Sequence, residues 1–424
     1  MLDLKFIVQN KDLVRKAIKD KNEQRDDLDE ICDLNDRRKA LQTMIDELRQ
    51  KINVLSKAYG QSKREGKEDK SLMGQSRAAG DGAKKHEEEK REVDAKIKEL
   101  LAWVPNIPAD DVPVGEDASA NKIVAEWGEK RTFDFKPKPH WDIATDLDIV
   151  DFERAPKISG SNFLLFKGQG ARLERALINF MLDLHTGEHG YTEISPPFLS
   201  PRQAMFGSAQ IPKLENDMYR LPEDDLFLIP TAEVQLVNMH GNEILSHAEL
   251  PKNYCAYTPC FRREAGAYGR ETRGMLRVHQ FDKVEMVKIT HPDKSEEDLE
   301  TLLQNAVTVL QKLNLPYRVV VLSTGDMSFA SRKTYDIEVW APGIERWLEV
   351  SSVSNCTDFQ ARRANIRFRG EDKKVKHVHL LNGSGLALPR TVIAILETYQ
   401  KADGSVEIPE AIRDSFGGAD RIAK

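Results

Sequence analysis

The sequence predicts an α+β protein: an N-terminal antiparallel α-helical coiled-coil hairpin followed by an antiparallel β-sheet flanked by helices. Three observations predict it. An apolar seam at steps of three and four runs through the first hundred residues, β-rich segments later follow one another with no helix between several of them, and a proline cluster separates the two patterns. The 3–4 spacing marks helices that pair along a seam. Strands in direct succession mark an antiparallel rather than a parallel sheet.

Residues 1–24 read as a small helical lead-in, with Leu13, Val14, Ala17 and Ile18 on one helical face. Then Leu34, Leu41, Ile45, Leu48, Ile52, Leu55 and Tyr59 form the seam, and no glycine or proline interrupts 22–59. A rod of that length spans about 55 Å. Gly60, Gly66 and Gly74, with charges between them, predict the turn. Residues 83–102 read as the return helix on Val93, Ile97, Leu100 and Leu101, with Gly80 and Gly82 weakening its start. Such a hairpin serves as a spacer, a dimerisation element or a nucleic-acid contact. Lys63, Arg64, Lys67, Lys70 and Arg77 gather positive charge near its tip, which favours a polyanion.

Pro105, Pro108 and Pro113 stop the helix and open a linker. This sets two domains, 1–108 and 109–424. In the second, strands are expected at Phe163–Phe166, Ala256–Phe261, Lys283–Ile289, Tyr317–Leu322, Tyr335–Trp340 and Trp347–Val353. Helices are expected at Arg172–His185, Thr231–Asn238, Glu296–Leu313 and Thr391–Gln400.

Composition narrows the class. No stretch approaches 18 apolar residues, so no membrane-spanning helix is expected. The N-terminus mixes charge with apolar residues, unlike a secretory signal. Cys32, Cys255, Cys260 and Cys356 form no CxxC pair, which reads as reduced thiols in a cytoplasmic protein. The net charge of −6 hides an asymmetry: residues 1–100 hold 24 Lys and Arg against 22 Asp and Glu, leaving 39 against 47 in the remainder.

The chemistry concentrates in two segments. Phe261-Arg262-Arg263-Glu264 ends a strand and opens a Gly-rich loop over 265–274; the chain returns through Arg277, Val278, His279 and Phe281. Side chains on one face of such a hairpin point at one ligand. Arg262 can fork onto a phosphate or carboxylate. Phe281 offers a face to a purine, Glu264 can accept from an exocyclic amine, and the Val278 backbone can border the base. The second segment, Gly383-Ser384-Gly385, leads to Arg390. Two arginines so placed suit the two ends of a bent ATP, and neither segment is a P-loop.

These segments resemble the second and third signature motifs of class II aminoacyl-tRNA synthetases, and Gly190–Pro197 resembles the first, which forms the dimer interface. Thr231-Ala232-Glu233, Glu285, Glu349-Val350-Ser351-Ser352, Phe359–Arg363 and Asn382–Gly385 resemble the seryl-tRNA synthetase family in its bacterial form. So does the hairpin, which in that family grips the long variable arm of the tRNA. The resemblance implies a class II catalytic domain, a homodimer, and ATP-dependent activation of L-serine with transfer to tRNA(Ser) and, where the organism has one, tRNA(Sec). It implies that Thr231, Ala232, Glu233, Glu285, Asn382 and Ser384 meet serine. Arg262 would hold the serine carboxylate against the α-phosphate. ATP would be held by Arg262, Arg263, Glu264, Arg277, Val278, Phe281, Glu349, Val350, Ser351, Ser352 and Arg390, with Arg277 and Arg390 on its γ-phosphate. Glu349 and Ser352 would carry Mg2+. Arg262 and Arg390 are the expected catalytic residues, and His279 and His379 are expected to be structural. The alternative is a synthetase-like ligase that serylates a non-tRNA acceptor; such relatives usually lack the helical arm.

Overall fold

The computed structural model describes residues 1–67, 69–265 and 273–424 of the 424. Most of the Gly-rich loop expected over 265–274 lies outside the described residues. The chain divides into two compact units. One comprises Leu2–Lys19 and Glu23–Val104, the other Met1, Asp20–Asn22 and Pro105–Lys424.

The first unit is helical. Helices α1 (Leu4–Gln9) and α2 (Lys11–Asp20) precede two long helices, α3 (Leu28–Arg64) and α4 (Lys70–Leu101). In α2, Val14, Ala17 and Ile18 are buried as expected, whereas Leu13 is 46% exposed. The return helix starts at Lys70 rather than at residue 83, and Gly60, Gly74, Gly80 and Gly82 all lie inside helices. Each interior glycine costs about 1 kcal/mol relative to alanine. Packing along the seam outweighs that cost. Ile31, Leu41, Ile45 and Leu55 of α3 are buried, as are Ala79, Ala83, Val93 and Ile97 of α4. At Gly82 a Cβ would lie 3.4 Å from the Leu48 side chain, an ordinary packing contact, so this position faces the partner rod. Helix α3 ends before Gly66, at φ +71°, and Asp69 caps α4 by accepting from the Ser71 amide at 2.9 Å. The expected tip cations Lys63, Arg64, Lys67, Lys70 and Arg77 are all exposed.

The second unit is built on an eight-stranded sheet among the described residues. Its strands are β1 (Lys122–Trp127), β2 (Thr192–Glu193), β3 (Lys252–Phe261), β4 (Gln280–Thr290), β5 (Tyr317–Val321), β6 (Lys333–Ala341), β7 (Arg346–Asn355) and β8 (His379–Ala387). The order across the sheet is β1-β5-β6-β7-β8-β4-β3-β2, antiparallel except at the β2 edge. Phe163–Phe166, expected as a strand, makes only an isolated bridge between Phe166 and Val150. The segment has apolar residues but, among the described residues, no neighbouring strand to complete a ladder.

Alternation along β4 sorts the two faces. Val284 and Met286 enter the main core with the long helices α5 (Gln169–Gly187), α7 (Ser295–Lys312) and α9 (Leu388–Tyr399). The intervening residues face the other side, where Val287, Ile289 and Ala256 pack under α6 (Glu233–Asn238) and α8 (Phe359–Ala364). The proline segment after Val104 is pinned rather than loose: the buried Asn106 side chain donates to Ala330 O at 2.9 Å and Cys356 O at 3.0 Å. No helix among the described residues is long and apolar enough to cross a membrane.

Candidate functional site

Register gathers the expected residues. In β4, Phe281, Lys283 and Glu285 alternate onto one face. Glu285 pairs directly with Ser384 of β8, and Asn382 lies two residues along on the same face. Val353 pairs with Gly383 and Ser354 with Asn382, so Ser352 of β7 lies beside Ser384. Ser352 in turn pairs with Asp336 of β6. A single stripe therefore crosses the sheet. At ~4.8 Å per strand, Ser352 and Glu285 stand about 10 Å apart.

Residues three apart on a regular strand face opposite ways, so Glu349 and Ser352 should not meet. The sheet solves this with a β-bulge. Ile337 pairs with Ser351 and Glu338 with Glu349, which leaves Val350 without a partner. The extra residue restores phase and turns both oxygens to one side. A second register shift between Ser384 and Leu386 passes the chain by Gly385, where a Cβ would lie 2.6 Å from the His185 ring.

At the Glu285 end the groups are buried and mutually bonded. Thr231 donates to Glu285 Oε2 at 3.0 Å, and Lys283 Nζ donates to Thr231 Oγ1 at 2.8 Å while pairing with the Glu285 carboxylate. Glu233 accepts from Gln360 at 2.5 Å and from Asn382 at 3.1 Å. Burial, then the Glu285 charge, pushes the Glu233 carboxyl up to about 7, against relief from Gln360.

At the Arg390 end the groups are more open. Arg390 donates to the Glu349 carbonyl at 2.7 Å and lies 3.4 Å from its carboxylate. Arg277 pairs with Glu264 at 2.8 Å. Glu264 sits at φ +52°, a conformation non-glycine residues adopt sparingly and which clusters at functional sites. The Arg262 guanidinium lies 5.2 Å from the Phe281 ring centroid, and its Nε donates to Pro230 O at 3.4 Å. Arg263 is held through its backbone, which donates to Asp217 O at 2.9 Å. His279, expected to be structural, joins the Arg262 carbonyl through its ring at 3.0 Å and donates its amide to Asn162 O at 2.8 Å; His379 contacts Ser295 at 2.8 Å.

Not every expected residue brings a side chain to this face. Ala232, Val278 and Val350 are buried, and Ser351 donates to Ser384 O at 2.6 Å. These positions offer backbone to a ligand.

Four further residues belong to the arrangement. Lys283 was legible from alternation, two residues before Glu285. Gln360 reaches Glu233 only through the packing of α8 on α6. Asp217 anchors the start of the Gly-rich loop, accepting from the Ala265 amide at 2.8 Å. Asp336 lies opposite Ser352, where burial and then the Glu349 charge hold its carboxyl well above the usual range. No three His, Cys, Asp or Glu side chains among the described residues form a ready-made metal cage. The oxygens of Glu349 and Ser352 instead suit a hard cation shared with phosphate, the usual manner of Mg2+.

Residues 1–108 match the seryl-tRNA synthetase N-terminal domain, and 215–399 match the class II tRNA synthetase core domain of the G, H, P, S and T enzymes. A serine–tRNA ligase of Syntrophomonas wolfei is 52% identical over 423 residues, covering 100% of this chain and 99% of that one. The chain belongs to the seryl-tRNA synthetase family. A serine–tRNA ligase of Thermotoga neapolitana is 53% identical, covering 97% of this chain and 98% of that one. Among solved family structures, seryl-tRNA synthetase of Pyrococcus horikoshii complexed with ATP is 38% identical with a TM-score of 0.94, covering 100% and 99% of the two chains. The cytoplasmic enzyme of Naegleria fowleri in complex with AMP is 28% identical with a TM-score of 0.88, covering 100% and 98%. The fold and class II enzyme assignment read from the motifs therefore stand.

Proposed function

We propose a division of labour for the reaction that family membership gives: ATP-dependent activation of L-serine to seryl-adenylate, then transfer to tRNA(Ser). Thr231, Glu233 and Glu285 receive the serine ammonium and hydroxyl, with Asn382 and Ser384 bordering the pocket. Arg262 holds the serine carboxylate against the α-phosphate, so that the reactants meet at attack distance. Phe281 supports the adenine, and the backbones of Ala232, Val278, Val350 and Ser351 line the two substrates. Arg277 and Arg390 leave Glu264 and Glu349 to clamp the γ-phosphate.

The carboxylate oxygen attacks the α-phosphorus in line and pyrophosphate leaves; the terminal ribose hydroxyl of the tRNA then attacks the seryl carbonyl and AMP leaves. Mg2+, carried by Glu349 and Ser352, neutralises charge on the phosphate oxygens when bound. No protein nucleophile is required. A site that pairs a buried hydroxyl rejects alanine and glycine, which leave its polar groups unsatisfied.

The observation that carries this reading is the continuous sheet face from Glu349 and Ser352 through Ser384 to Glu285. We assign residues 1–108 to a tRNA-binding arm and 109–424 to the catalytic domain. We further assign a homodimer through α5 and Gly190–Pro197, cytoplasmic residence, and tRNA(Sec) as a second acceptor. The exposed cations at the hairpin tip support tRNA over a non-tRNA acceptor.

Purified protein should catalyse serine-dependent ATP–pyrophosphate exchange with Mg2+. No exchange, or preference for another amino acid, overturns the reading. Deleting 30–95 should spare exchange and abolish tRNA charging; retained charging would remove the arm from acceptor recognition.

A further inference from the structure

We propose that Asp336 is the third protein oxygen donor of the divalent-cation seat, completing what Glu349 and Ser352 begin. The inference rests on the Mg2+ reading above.

Register supplies the placement. Asp336 pairs with Ser352 and Glu338 with Glu349, and the unpaired Val350 brings all four side chains to one face. Chemistry supplies the vacancy in its bonding. Asp336 Oδ1 is buried and has no hydrogen-bond partner among the described residues. A buried polar oxygen is ordinarily satisfied, and a lone one calls for an explanation such as an ion. The neighbouring acids are already occupied: Glu338 pairs with Arg318, Asp326 accepts from Asn121 at 2.8 Å, and Arg390 lies on Glu349. Ser352 stands directly opposite Asp336 in the ladder, so hydroxyl and carboxylate share one face. Two carboxylates and a hydroxyl then fill three positions of an octahedron, leaving three for phosphate oxygens and water.

The test uses Mn2+ as a paramagnetic probe with the full-length protein and α,β-methylene-ATP. Free Mn2+ is read by electron paramagnetic resonance. Asp336→Asn should weaken Mn2+ binding about tenfold or more, and oxygen-17 line broadening should show an additional water on the bound ion. AMP binding without metal should stay at the wild-type level, and Tm should hold because the amide keeps the shape of the side chain. Glu349→Gln is the internal reference. If Glu349→Gln weakens Mn2+ and Asp336→Asn stays within about twofold of wild type, the inference is overturned. If neither weakens Mn2+, the metal reading itself falls. Should Asp336→Asn lose Tm, Asp336→Glu keeps the charge but displaces the oxygen. Weakened Mn2+ binding in that folded variant supports the assignment, and wild-type binding ends it.

Discussion

The two ends of the proposed site use the same kind of contact, a cation beside a carboxylate, in opposite surroundings. Lys283 and Glu285 have side chains only 8% and 3% exposed, and Thr231 bonds to both. Arg390 and Glu349 are 27% and 49% exposed, and Arg277 and Glu264 are 25% and 23% exposed. A buried pair resists separation because either partner alone is left uncompensated. A half-open pair is worth little, since water replaces each partner. The deep end is thus suited to keep its geometry, and the open end to give up its protein partners, as the proposed phosphate clamp requires.

That contrast breaks most visibly at Lys283. Replacing it by alanine strands the Glu285 carboxylate, so stability should fall by about 3–5 kcal/mol in a denaturant titration. A variant as stable as wild type would show that the deep pair is not rigid. Arg390→Ala should do the reverse: kcat for pyrophosphate exchange should drop on the order of 10²–10³-fold, with stability within about 0.5 kcal/mol of wild type. A large loss of stability would place Arg390 in the scaffold instead.

Glu233 sharpens the comparison through pH. Its folded value of about 7 lies above the ordinary 4.5, so folding favours the protonated form. Its cost to stability is absent below about 4.5 and accrues as pH rises to about 7, so stability falls across that window. The Glu233→Gln variant should show a flatter Tm profile there, and the difference between the two profiles isolates this group. The serine ammonium favours the carboxylate, so serine affinity should rise about tenfold from pH 6 to pH 8, measured by calorimetry. An affinity that is flat with pH would separate Glu233 from the ammonium. The smallest effect belongs to Glu264→Gln, which should change stability by less than about 1 kcal/mol while raising KM for ATP.

Legibility in the sequence followed the same divide between local and distant contacts. The strand-face pairing of Phe281 and Glu285 follows from counting by two, and the rods follow from their seam. Lys283 was readable by the same count. Gln360 was not, because only the packing of α8 against α6 carries it to Glu233. The start of the return helix was misread because glycine content was weighed without the partner rod whose burial overrides it. Phe163–Phe166 looked like a strand because apolar composition does not reveal whether a neighbouring edge exists.

The bulge at Val350 bears on how such chains are aligned. Leu348 and Val350 are buried, Glu349 is exposed, and Ser351 is buried immediately after Val350. The ladder slips by one residue there, since Ile337 pairs with Ser351 and Glu338 with Glu349. A related chain could keep both Glu349 and Ser352 yet lack that slip, and its hydroxyl would then lie on the wrong side of the sheet. Retained motif letters would conceal a lost site, whereas a one-residue deletion compensated elsewhere in the strand could preserve it. The strand register around the motif therefore decides what its end residues can do.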